Sequence, residues 1–119
     1  MIDKPTVIVI DDDSFHLENI SLELQDHAEV RGYHPRDLDD VEDFEPFRKA
    51  KYALIDWHFK GHTALDNKVV EFIRDNGFTG KALLCSLHEI ESDRKEIEDK
   101  FDGVLQKNGL TWDQIAQYG

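Results

Sequence analysis

Val7-Ile8-Val9-Ile10-Asp11-Asp12-Asp13 sets four consecutive β-branched side chains directly before three carboxylates. An apolar run without alternation is what a strand shows when helices cover both faces of a parallel sheet. Three further runs end in the same way. Ala53-Leu54-Ile55 reaches Asp56, Ala82-Leu83-Leu84-Cys85 reaches Ser86, and Val104-Leu105-Gln106 reaches Lys107. If each run is a parallel strand, all four polar ends emerge at one edge of one sheet, where open α/β sheets hold their ligands. Carboxylates, a hydroxyl and an ammonium gathered there suit a divalent metal and a phosphoryl group.

Working outward, helical and strand patterns alternate along the chain. The first strand covers about 6–11, and Asp13 or Ser14 caps a helix whose apolar stripe is Leu17, Ile20 and Leu24. A weaker strand over 28–33 mixes Glu29 and Arg31 with Val30, which suits a sheet edge. Residues 34–50 are the least regular. Leu38, Val41 and Phe47 fit a short helix that Pro46 should break or bend. Six acids between Asp37 and Glu45 read as a solvated helix face in preference to a docking surface.

A third strand covers 52–56, followed by a capping-box-like start at Thr63-Ala64-Leu65-Asp66. Leu65, Val69, Phe72 and Ile73 give the next helix its apolar face, and Asn76-Gly77 ends it. The fourth strand is 81–86. A helix over about 89–100 has only a sparse stripe of Ile90 and Ile97, continued by Leu87 and Phe101. The fifth strand is 103–107, and Thr111-Trp112-Asp113-Gln114 opens a short last helix with a second capping box. Five strands alternating with helices, without repeats or low-complexity linkers, predict a doubly wound α/β fold with a parallel sheet and helices on both faces.

The 119 residues suit one domain, 1–119, large enough for its own core. No apolar stretch approaches the roughly 18 residues of a membrane span, and the opening Met1-Ile2-Asp3-Lys4-Pro5 lacks the regions of a secretory signal. The single Cys85 has no internal disulfide partner, so a cytoplasmic protein is the expectation. A formal charge of −12 disfavours direct nucleic-acid binding, which needs a basic surface. It favours solubility, cation binding or a basic patch on a protein partner.

With VIVIDDD, LIDW, LLCS and FDGVLQK in that order, the chain resembles the receiver domain of bacterial two-component response regulators, in the manner of a single-domain chemotaxis regulator. The spacings fit as well: 44 residues from Asp12 to Asp56, 30 from Asp56 to Ser86, and 21 from Ser86 to Lys107. The resemblance implies a flavodoxin-like strand order, 2-1-3-4-5. It implies a phosphoprotein of two-component or phosphorelay signalling, in which Asp56 takes a phosphoryl group from a phosphohistidine on a sensor histidine kinase or histidine phosphotransfer protein. Mg2+ is the implied cofactor, held by Asp12, Asp56 and the main-chain carbonyl of His58, with Asp11 acting through water. Ser86 and Lys107 would bind phosphoryl oxygens.

The charge pattern agrees with these roles. Asp11, Asp12 and Asp56 would repel one another without a hard dication between them. Each residue also has a plainer reading: one of Asp11, Asp12 and Asp13 as a helix cap, Ser86 as a small strand-end residue, Lys107 as a surface lysine.

Several neighbours depart from the family pattern. Asn108 stands where a proline usually follows the lysine, and its peptide bond should therefore be trans. Lys60 replaces another common proline, Leu87 a very small residue, and Val104 the aromatic switch residue three positions before the lysine. These changes leave the phosphate chemistry intact and put its readout in doubt. His58, His88 and Leu87 occupy positions that in the family tune phosphate lifetime, although for the two histidines a surface role without special function is the slightly favoured reading. Zinc binding by them is disfavoured, since only carboxylates lie nearby in sequence. His16, His27, His34 and His62 belong to no motif.

Two rival functions stand beside the receiver. One is a receiver-like interaction module that works without phosphorylation, favoured by Leu87, Val104 and Asn108. The other is a metal-dependent aspartyl-phosphate phosphohydrolase, which would carry its nucleophile at the first strand and fits Asp11-Asp12-Asp13-Ser14 poorly. On the leading reading the chain is a signalling phosphoacceptor and no enzyme beyond its own phosphorylation and dephosphorylation. Its downstream protein target or fused output domain is left open.

Overall fold

Strand β1 (Thr6–Ile10) is the spine of the molecule, and all five of its residues are buried. In the computed structural model, which describes residues 4–11, 13–56, 63–86, 101–106 and 110–118, five parallel strands form one sheet in the order β2-β1-β3-β4-β5. At 35, 36, 39, 56, 63–68, 86 and 106 the description is of the backbone. The other strands are β2 (Glu29–Tyr33), β3 (Ala50–Asp56), β4 (Lys81–Ser86) and β5 (Gly103–Gln106). The described helices are α1 (Ser14–Leu24), α2 (Glu45–Lys49), α3 (Thr63–Asp75) and α4 (Trp112–Ala116), with a 3-10 helix at Pro35–Asp40 between β2 and α2. The doubly wound parallel sheet expected from the strand runs is therefore present, in the flavodoxin-like order.

The strand runs are apolar throughout because alternate side chains feed two cores. Ile8, Ile10, Ala53, Ile55, Ala82 and Leu84 pack with Phe47 of α2 and Val69, Val70 and Ile73 of α3. Val7, Val9, Tyr52, Leu54, Leu83 and Cys85 pack with Ile20 and Leu24 of α1 and Ile115 of α4. A fully buried aliphatic side chain contributes about 1.5–3 kcal/mol relative to exposure, so each of these buried strand positions adds to stability. Strand β2, at the sheet edge, is mostly exposed and carries an Arg31–Glu29 ion pair at 2.9 Å. Charges there discourage pairing with another chain's strand.

Helix boundaries follow local chemistry. Asp13 is the N-cap of α1, its Oδ1 accepting the Phe15 N–H at 2.9 Å. Helix α3 ends in a left-handed turn at Gly77 (φ 104°), with the Phe78 N–H donating to Ile73 O at 3.0 Å and the Gly77 N–H to Arg74 O at 3.2 Å. Both Phe78 and Ile73 are in the core, which completes a Schellman stop. A Cβ at Gly77 would also run into the aliphatic stem of Arg48. For α4, Gln114 Oε1 accepts the Thr111 N–H at 3.1 Å, as the capping box requires.

Three expectations change. Pro46 starts α2 and does not break it, since a proline in the first turn lacks only an N–H that would be unsatisfied there. Leu38 lies in the 3-10 helix and Phe47 in α2, so the 34–50 segment forms two short pieces over one core. Strand β1 stops at Ile10, and β3 begins two residues earlier than expected because Ala50 pairs with Thr6. The expected helix over 89–100 lies outside the described residues. Among the described residues no helix is long and apolar enough to cross a membrane.

Candidate functional site at the carboxyl edge of the sheet

The chain leaves β1, crosses to β2 on one side, and returns to β3 on the other. That reversal makes a crevice outside the carboxyl ends of β1 and β3, the place where such sheets bind ligands. Ile10 is in register with Ile55, so Asp11 and Asp56 are the next residues on two adjacent strands. Asp56 is in turn opposite Cys85, one residue before Ser86, and Ser86 is opposite Gln106. Adjacent strands lie about 4.8 Å apart, so the backbones of Asp11, Asp56 and Ser86 form one short row at the edge. Lys107 follows Gln106 in the chain and, with Asp12, His58, Leu87, His88 and Asn108, lies outside the described residues.

Asp11 is the carboxylate that defines the crevice. It is only 1% exposed, at the end of β1. Its N–H donates to Tyr33 O at 3.1 Å, extending the β1–β2 pairing by one residue past the strand. Its Oδ1 accepts the Asp13 N–H at 2.9 Å. A buried carboxylate needs such donors, because ionised groups are costly to remove from water.

The structure also settles which of the three aspartates caps α1. Asp13 does so, and Asp11 faces inward. His16, which belongs to no sequence motif, lies against both: its Nδ1 is 3.5 Å from Asp13 Oδ2 and 3.9 Å from Asp11 Oδ2. The i,i+3 spacing from the Asp13 cap is the signal that could have marked it. Of the other histidines, His34 follows β2 at the same edge, where its carbonyl accepts the Asp37 N–H at 2.9 Å. His27 stacks on Trp112, with ring centroids 5.8 Å apart.

Tyr33, at the carboxyl end of β2, stacks on Phe47. Burial pushes its phenol above the ordinary value; the Arg31 guanidinium opposes this and the Asp43 carboxylate adds to it. Val104, on β5, pairs with Leu84 of β4 and is 44% exposed. It is an aliphatic, open position on a strand whose neighbour Leu105 is buried.

The donors at this edge suit a hard dication. The Asp11 carboxylate is buried beside the strand end that carries Asp56, and carboxylate oxygens are the donors that a hard dication such as Mg2+ could use. Among the described residues no three acidic, histidine or cysteine side chains converge as a complete metal cage. The direct ligands that the receiver resemblance implies, Asp12, the Asp56 side chain and the His58 carbonyl, lie outside what the structure describes.

No protein-family model matches the sequence, and no curated protein matches it. Solved structures do match. A response regulator receiver protein from Burkholderia phymatum superposes with a TM-score of 0.73 at 20% identity, covering 96% of this chain and 91% of that one. A response regulator from Thermotoga maritima gives 0.72 at 16% identity, with 97% of each chain covered. A CheY-like receiver domain from Methylobacillus flagellatus gives 0.72 at 14% identity, covering 98% of this chain and all of that one (100%). With its sheet order and its two helical layers, this chain has the fold of response-regulator receiver domains.

Proposed function

We propose that the chain is a phosphorylation-controlled receiver that takes a phosphoryl group from a phosphohistidine onto Asp56. The observation that carries this reading is the buried Asp11 carboxylate at the β1–β3 switch point, in register with the strand end that bears Asp56. In the transfer an Asp56 carboxylate oxygen forms the new O–P bond while the N–P bond to the donor imidazole breaks. The bonding pair returns to the imidazole nitrogen. A carboxylate approaching an anionic phosphoryl group needs its repulsion neutralised, and most of the catalysis is positioning and charge compensation. Asp12, Asp56 and the His58 carbonyl would hold Mg2+, with Asp11 acting through water, and the ion would supply that neutralisation when bound. Ser86 donates a hydrogen bond to one phosphoryl oxygen, and Lys107 pairs with another.

The donor is a sensor histidine kinase or a histidine phosphotransfer protein, and the product is a signalling state of this protein. The chain turns over no substrate besides its own aspartyl phosphate. Its acidity points to protein partners and away from nucleic acid. A second reading, an interaction module that works unphosphorylated, draws support from Val104, which is exposed and lacks the ring that commonly switches in the family.

Incubation with Mg2+ and acetyl phosphate, followed by intact-mass analysis, tests the proposal. One added phosphoryl group in the wild type and none in Asp56→Asn is the expected result. Labelling that survives in Asp56→Asn removes Asp56 as the acceptor, and no labelling in the wild type favours the interaction module.

A further inference from the structure

We draw no further inference here: the strongest candidate, the exposed strip of Phe15 and Leu22 seven residues apart on one face of α1, carries none because nothing in the structure shows what covers it.

Discussion

Asp11 holds the turn that follows it: its Oδ1 accepts the backbone N–H of Asp13 at 2.9 Å, while the Asp11 side chain is sealed from solvent. One carboxylate thereby fixes the path from β1 into α1, and its other oxygen is left on the side that His16 approaches.

Because an amide oxygen can still accept the Asp13 N–H, Asp11→Asn should keep the fold and lose charge at the crevice. Mg2+ affinity, expected in the millimolar-to-submillimolar range for a hydrated carboxylate site, should fall by about 10–100-fold, as is typical when a group acting on a metal from outside its direct ligands is removed. Asp12→Ala should weaken binding at least as much. Isothermal calorimetry gives both values, and wild-type affinity in either variant would refute the role assigned to that residue.

Removing the cap of α1 is a test of stability alone. Asp13→Ala deprives the Phe15 N–H of its acceptor and should destabilise the protein by about 1 kcal/mol. Urea unfolding should show a lower midpoint with an unchanged slope. Asp13→Ser or Asp13→Asn should recover most of the loss, since both are good caps.

Alkaline pH should weaken the fold through Tyr33. Its phenol holds its proton more tightly in the folded protein than in the unfolded chain. The folded state therefore binds more protons above pH about 10, and stability falls as pH rises from there through the folded-state value. Tyr33→Phe should flatten that decline in denaturation curves taken between pH 9 and 11 (an approximate window set by the ordinary tyrosine value). An identical decline in the variant would place the alkaline sensitivity elsewhere.

Phosphorylation should register weakly at β5. Switching requires two states that respond differently to the phosphoryl group. Val104 is exposed, β-branched and restricted at χ1, so it has no large inward and outward alternatives. The sparse apolar stripe of the sequence over 89–100 predicts a segment more easily shifted than α1 or α3. Hydrogen exchange with and without beryllofluoride should therefore show new protection concentrated in 87–100. Protection centred on 103–105 with none in 87–100 would reverse this assignment.

The sequence determined the strands and the order of their polar ends. Unbroken apolar runs such as Val7-Ile8-Val9-Ile10 are local signals, and a parallel sheet buried on both faces is the arrangement that uses every one of their side chains. The same local logic gave the Gly77 stop of α3 and the Thr111 start of α4, because caps depend on residues within one turn of the helix end. The Asp12, Asp56, Ser86 and Lys107 assignments rest on that sequence pattern and its resemblance to receivers.

Tertiary structure decided the rest. The sequence offered Asp13 or Ser14 as the cap of α1; the structure chooses Asp13 and turns Asp11 inward, with the Asp11 N–H paired to Tyr33 O across β1 and β2. Ala50 became a strand residue through its register with Thr6, a partner 44 positions away. His16 came to lie against Asp11 and Asp13 because α1 packs Ile20 and Leu24 onto the sheet, which fixes the rotation of the helix. Burial and register are set by neighbours distant in the chain, and so they become readable only once the sheet has closed around β1.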